Sequence, residues 1–419
     1  PNFSLTQENA MRNAPDGAEL ARSFDLSALP AAFYDDPFPY YHALRAYDPV
    51  LRLADGSYFL TRYADLQAVY RDTKTFSSDK RIEYGPKYGI GSLLYQHHTT
   101  SLVFNDPPLH TRVRRIIIGA LSPKAVSALE PGLIAMVDRL LDALALKGEV
   151  DLIDDFAATI PIEVIGNLLD VPHHERAPLR GWSLAILGAL EPAVSAAAQA
   201  AGNRAVEEFL TYLQFLVARR RTDPGDPERD VLTRLIRGER DGERLSEIEL
   251  LHNCIFLLNA GHETTTNLIG NGLAALLEWP DQKRLLIDGP EHIESAVEEF
   301  LRFESSNQLG NRMTTAAAVV GDVTLPAHAS LTLCIGAANR DPEQFPDPDV
   351  LDVRRSPNRH LGFASGPHQC AGLHVARLEG RIGISRFLRR FPNYRLRGQP
   401  SRGGRARFRG FLTIPVHLC

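Results

Sequence analysis

One long amphipathic pattern sets the scale of this fold. Ser246 with Glu249 three residues on reads as a capping box, apolar residues recur from 248 to 277, and Pro280 closes the element. The span 247–279 is about 33 residues, which at 1.5 Å per residue is roughly 50 Å. Such a helix crosses an entire domain. Its middle is not uniformly apolar: Asn259-Ala260-Gly261-His262-Glu263-Thr264-Thr265-Thr266-Asn267 places an acid and hydroxyls where burial penalises them unless they serve something. Gly261 removes bulk just where they cluster, so this stretch is expected to flank a ligand. His262-Glu263 invites a zinc-protease reading, but the second histidine would stand at 266, and Thr266 is there. The plain alternative is that the threonines return their hydroxyls to carbonyls and merely bend the helix.

Downstream, Cys370 stands in the stretch Phe363-Ala364-Ser365-Gly366-Pro367-His368-Gln369-Cys370-Ala371-Gly372. Gly366, Pro367 and Gly372 bend the backbone, and 373–388 then shows the apolar spacing of a buried helix. A thiol presented at a helix N-terminus meets the positive dipole end and amide hydrogens, so its pKa is expected to fall and the thiolate to become a strong metal ligand. A buried structural cysteine is the bland alternative. Zinc is the rival metal, because His360, His368, Cys370 and His374 crowd together, but structural zinc sites use paired Cys-x-x-Cys or His-x-x-x-His spacing, and that is lacking here.

These flanks resemble the cysteine-ligand loop of the cytochrome P450 family, Phe-Gly-x-Gly-x-His-x-Cys-x-Gly, in which a thiolate is an axial ligand of haem iron. The chain matches at Phe363, Gly366, His368, Cys370 and Gly372; Ala364 departs, and its methyl is expected to shift the local backbone. The family's central-helix motif, Ala/Gly-Gly-x-Asp/Glu-Thr, maps onto Ala260, Gly261, His262, Glu263 and Thr264. The resemblance implies that Thr264 holds a water at the oxygen-binding face while Glu263 links that water to bulk protons. Glu299-Phe300-Leu301-Arg302 matches the Glu-x-x-Arg pair, and Arg355 stands at the position of its third, arginine partner, although Leu351 replaces the usual Phe. These three are read as structural, underpinning the cysteine loop. The resemblance also carries His110, Arg114, Arg312 and His368 onto the haem propionates, where guanidiniums fork onto carboxylates.

The helical patterns and the resemblance together imply a fold that is mainly α with small β-sheets: a single large domain over 1–419, its long central helix crossing haem b. Helical patterns fall at 37–47, 63–72, 109–120, 129–145, 160–169, 201–220, 230–237, 247–279, 291–303 and 371–390. Strands at 50–53 and 58–61 flank Asp55-Gly56, a hairpin signal, while 319–325 and 331–335 are expected to form a second small sheet. The polar run from Arg221 to Pro227 reads as a loop between helices.

With 419 residues and 44% hydrophobic content the chain can bury a substantial core. Residues 1–16 show neither a signal-peptide core nor an anchor, and Cys254, Cys334, Cys370 and Cys419 are scattered, so a cytoplasmic protein without membrane insertion is expected. The net charge is −5, yet Arg386, Arg389, Arg390, Arg395, Arg397, Arg402, Arg405, Arg407 and Arg409 share one stretch. Nucleic acid is set aside, because the chain is acidic overall and shows no binding fold. The alternatives are a solvated face or, by the resemblance, a basic surface for an iron-sulfur ferredoxin or flavodoxin.

The function implied is a monomeric haem-thiolate monooxygenase that places one atom of dioxygen into a small hydrophobic substrate, with electrons from NAD(P)H through a separate ferredoxin and reductase. A gas sensor or carrier of the same fold would leave Glu263 and Thr264 idle, and a peroxide-driven oxygenase would replace them by a substrate carboxylate or an arginine. Two segments are expected to roof the pocket. One is 81–104, where Arg81, Tyr84, Lys87, Tyr88, Tyr95, His97 and His98 make one polar anchor available; the other is 182–201, apolar through Trp182, Leu184, Ile186, Leu187 and Leu190.

Overall fold

The computed structural model of the chain describes residues 16–121, 123–226, 230–237 and 244–418. Most of the N-terminal segment, Pro227 and Cys419 lie outside the described residues. The capping box forms as written: the Ser246 hydroxyl accepts from the Glu249 amide at 3.3 Å, and the Ser246 amide donates to the Glu249 carboxylate at 2.8 Å. The helix then runs Glu247–Glu278 and is buried along nearly its whole length.

Helices close around it because small residues let them approach. A Cβ on Gly261 would stand 2.5 Å from Ile165 Cδ1, on the helix Thr159–Leu168. The space above Gly261 is therefore filled in part by a packing helix, not by a ligand alone. Farther along, a Cβ at Gly272 would meet the Phe300 ring at 2.9 Å, on the helix Ile293–Phe303. The helix Leu373–Arg390 brings Gly380 against Leu268 in the same way.

All ten expected helices are present. The helix Pro123–Lys147 starts upstream of the expected 129 and carries Pro131 inside, and Ala196–Thr222 starts upstream of 201 because Ser195 caps it. Shorter helices at Gly17–Arg22, Ala31–Asp35, Arg81–Tyr88, Leu93–Thr100, Leu179–Gly188 and Pro280–Asp288 escaped the pattern. All span fewer than three turns, too little for a period to register, and Arg81–Tyr88 contains Gly85 and Pro86.

The Asp55-Gly56 hairpin is observed, pairing Val50–Arg52 with Tyr58–Leu60, with Gly56 at φ +83°. The second expected sheet is not. Ala318–Val320 and Val323–Leu325 pair only with each other, whereas Ser330–Cys334 inserts into the first sheet, parallel to Tyr58–Leu60 and antiparallel to Leu309–Thr314. The reason is burial on both faces: Leu331 and Leu333 enter one apolar cluster and Cys334 another, so the strand needs neighbours at both edges. Val319, 67% exposed, lies in a hairpin with open edges. Arg312 sits on the strand Leu309–Thr314.

Candidate active site

The cysteine loop is pinned at three points. The Cys370 amide donates to the Phe363 carbonyl at 2.9 Å. Gly366 adopts φ +69°, and a Cβ there would stand 2.6 Å from the Tyr70 carbonyl oxygen, so the loop presses onto the end of the helix Tyr63–Arg71 in a way only glycine allows. Asn339 Oδ1 accepts the Leu361 amide at 2.7 Å, and the Leu361 carbonyl accepts the Ala364 amide. Ala364 is held at φ +55°, a left-handed conformation that costs an L-residue about 1–2 kcal/mol.

Behind that loop lies the buried carboxylate of Glu299. Arg302 grips it through Nε at 2.7 Å and Nη2 at 2.8 Å, Arg355 Nε donates to it at 3.2 Å, and Asn358 Nδ2 and the Asp352 amide complete its shell at 3.1 and 3.0 Å. The three expected residues thus meet, and Asn358, silent in the sequence, joins them. Arg302 Nη1 also donates to the Asn339 carbonyl at 3.0 Å. Through Asn339 the cluster touches the start of the cysteine loop.

Cys370 lines a cavity of about 320 Å3 together with Phe363, His368 and Gly372 from the loop, Ala260, Gly261 and Thr264 from the central helix, and His110, Arg114 and Arg312. Every residue expected to bind the cofactor is on its wall. The expected fall in the Cys370 pKa is not seen: burial pushes the thiol up, and the Gly372 amide with the Arg114 and Arg377 guanidiniums only partly offsets this. In this desolvated place a coordinating cation, more than the helix end, is what ionises sulfur.

One edge of the cavity gathers groups that call for anions. His110 and His368 stack with ring centroids 3.8 Å apart, and Nε2 of each is buried without a partner, as is Nε of Arg312. Burial and nearby guanidiniums push His110 down to about 4 and His368 to about 2. Arg312, 5% exposed, has its pKa lowered by burial too. Arg114 donates Nη2 to the Gln369 carbonyl at 2.7 Å. A cysteine on one wall, a helix with a threonine in the cavity, and cations at an edge fit haem with its two propionates.

Thr264 donates its hydroxyl proton to the Ala260 carbonyl at 2.7 Å, so toward the cavity its oxygen can only accept. The back-bonding alternative is therefore realised, and it defines the polarity of the site. Glu263 points elsewhere: one carboxylate oxygen pairs with Arg405 and the other is buried without a partner. Burial pushes this carboxyl up to about 7 against the pull of Arg405.

Arg405 was hidden in the arginine run, which does not form one face. Arg386 pairs with Asp138, Arg390 with Asp142, Arg397 with Glu149, and Arg402 and Arg409 with Glu304, while Arg407 reaches the cavity. The acids come from far upstream in the chain, which composition within the run could not show.

The roof also differs from expectation. Ile186, Leu187 and Leu190 line the cavity, but Trp182 turns away to stack on Phe209 at 4.9 Å, and the carbonyl of Leu184 accepts from Arg405. From the other segment His97, His98 and Phe104 reach the wall, while Tyr84 and Tyr88 pack edge-on against each other and Arg81 pairs with Asp79 outside. No helix among the described residues is long and apolar enough to cross a membrane.

Known proteins share this plan. A family model described as cytochrome P450 matches residues 193–287 and 291–402. Cytochrome P450 107B1 of Saccharopolyspora erythraea is 38% identical over 410 residues, covering 94% of this chain and 97% of that protein. Vitamin D(3) 25-hydroxylase of Pseudonocardia autotrophica is 39% identical over 367 residues, covering 85% of this chain and 86% of that protein. The crystal structure of P450BioI in complex with an acyl carrier protein ligated to hexadec-9Z-enoic acid superposes with a TM-score of 0.88 at 32% identity, over 93% of this chain and 99% of that one. Identity at this level along nearly the whole chain, on a fold whose cavity is lined by a cysteine and by arginines, means that this protein belongs to the cytochrome P450 family of haem-dependent monooxygenases.

Proposed function

We propose that this chain hydroxylates a small, mainly hydrophobic molecule, using electrons that arrive from NAD(P)H through a separate iron-sulfur ferredoxin or flavodoxin and its reductase. The observation that carries the reading is the shared cavity wall, with Cys370 and Thr264 both on it and the partnerless Nε2 of His110, Nε2 of His368 and Nε of Arg312 at its edge. Haem supplies the binding and reductive activation of dioxygen. Cys370 would hold the iron; His110, Arg114, Arg312 and His368 would hold the propionates; Ala260, Gly261, Phe363 and Gly372 would shape the walls. Glu299, Arg302 and Arg355 are structural and hold the loop that carries Cys370.

Protons reach the site through the chain's own side chains. Thr264, whose hydrogen is committed to Ala260, accepts a hydrogen bond from a water and so turns that water's other proton into the cavity. Glu263, pushed up to about 7 and buried beside Arg405, can hold a proton at neutral pH and release it on demand. A carrier of gas would have no use for a buried acid poised in this way. The buried free thiols of Cys254 and Cys334 suit a reducing cytoplasm. Electrons would enter on the loop side, where Arg114 and Arg377 lie close enough to influence the Cys370 sulfur.

Isotope labelling tests the reading. With a surrogate ferredoxin, its reductase and NADPH, oxygen-18 from dioxygen should enter one hydroxyl of the product, and label from water should not. Turnover that needs peroxide and ignores the reduced partner would overturn it.

A further inference from the structure

The roof of the cavity carries charge that its own acids do not balance. Lys80, Glu83 and Lys87 come from the start of the roof, Glu191 from the turn after the helix Leu179–Gly188, and Arg407 from the C-terminal segment. Lys80, 1% exposed, is matched by Glu83 at 2.7 Å. Glu191 spends its carboxylate on the amides of Ala406, Arg407 and Phe408, at 2.9, 3.0 and 3.3 Å. Three positive charges thus face two negative ones. Neither Lys87 nor Arg407 has a carboxylate partner among the described residues; Lys87 donates to the Glu191 carbonyl at 3.1 Å.

Arg407 is aimed rather than loose. Nε donates to the Leu190 carbonyl at 2.8 Å and Nη1 to the Leu309 carbonyl at 2.6 Å, which fixes the plane of the guanidinium and leaves Nη2 unbonded to any described residue. The residue lines the cavity, and so does His98, which is 1% exposed with its Nε2 bare of any partner. Burial and the charges of Lys87 and Arg407 push His98 down to about 3, so it faces the cavity as a neutral imidazole. Around them the wall is apolar, through Ile186, Leu187, Leu190 and Phe408. Leu309 precedes Arg312 by three residues on one strand, which places the Arg407 contact about 10 Å along the strand from the arginine assigned to a propionate.

We infer that Arg407, with His98 beside it and Lys87 behind it, is the anchor for a carboxylate on the substrate, so that the natural substrate is an apolar body ending in one carboxylate. This rests on the haem-dependent reading above. The anchor stands on the C-terminal segment and not on the central helix, so it leaves Glu263 and Thr264 free for proton transfer.

Paired probes measure the anchor without any knowledge of the substrate. ω-Imidazolyl alkanoic acids and ω-imidazolyl alkanols of equal length both ligate haem iron through the imidazole, and the Soret shift reports affinity. Over a limited range of chain lengths the acid should bind the holoprotein at least about tenfold more tightly than the alcohol, as a charge-assisted bond to the free Nη2 of a half-buried guanidinium would give. Arg407→Gln should erase that preference while leaving alcohol affinity within about twofold, and Arg407→Lys should restore part of it. Equal affinities at every length in the unaltered protein, or an acid preference that survives in Arg407→Gln, would overturn the anchor. If Arg407→Gln loads no haem, Lys87→Gln decides: a lowered acid preference supports the assignment and an unchanged one removes it. A protein whose Soret band responds to neither probe would instead contradict the haem reading itself, so the two failures are distinct.

Discussion

Glu299→Gln keeps the shape of a buried side chain and deletes the charge on which Arg302 and Arg355 converge. In the folded protein that carboxylate accepts two bonds from Arg302 and one each from Arg355, Asn358 and the Asp352 amide, all between 2.7 and 3.2 Å. Neither Glu299 nor Arg302 has any exposed side-chain surface. The glutamine amide would turn an NH2 toward donors on one side, leaving at least one guanidinium buried without its counter-charge. Breaking a pair of this kind costs about 3–5 kcal/mol, against a total stability of about 5–15 kcal/mol for a whole protein. The loss should pass through Asn339 to Leu361 and so to the cysteine loop. The expected result is a sharp fall in soluble, haem-loaded protein, read as the haem-to-protein absorbance ratio, and a lower urea midpoint. Asn358→Ala removes one donor to the carboxylate and leaves the charge pair in place, so it should cost less, about 1.5–3 kcal/mol. Full haem loading and an unchanged midpoint in Glu299→Gln would refute the structural role.

Thr264→Ala should keep haem and ligand binding while NADPH consumption shifts from product to hydrogen peroxide; an unchanged product yield per NADPH would place proton delivery elsewhere. Glu263, pushed up to about 7, is protonated below that value and ionised above it. Product yield per NADPH should therefore fall as pH rises through about 7, and Glu263→Gln should flatten this dependence; a profile identical in the two proteins would contradict the assignment. Ala364→Gly relieves a left-handed alanine and should add up to about 1 kcal/mol of stability after glycine's extra flexibility in the unfolded chain is subtracted, read as a higher thermal midpoint. A lower midpoint would mean that φ +55° carries no strain there.

Local chemistry was legible wherever one segment carried the whole signal. The capping box, the Asp55-Gly56 hairpin and the loop around Cys370 each declare themselves within a dozen or so residues, and the central helix within one continuous run. What the sequence concealed depends on partners far apart in the chain. Arg405 and Arg407 sat in a run that looked like a solvated face, and only folding set Glu263 against the first and the Leu190 and Leu309 carbonyls against the second. The strand Ser330–Cys334 was recognisable, yet its place between Tyr58–Leu60 and Leu309–Thr314 follows from burial on both faces, which alternation does not encode. Asn358 and Asn339 carried no signal, because an asparagine in a loop reads as a turn residue. The Cys370 thiol was misjudged because a helix end is visible in sequence and desolvation is not.

The central claim is that Cys370 binds haem iron on one wall of the cavity whose other wall carries Thr264. The optical spectrum of the reduced protein under carbon monoxide tests it most directly: the account predicts the strongly red-shifted Soret band of thiolate ligation, lost in Cys370→Ala. A band at the position typical of histidine ligation in the unaltered protein, or a red-shifted band that survives in Cys370→Ala, would contradict it.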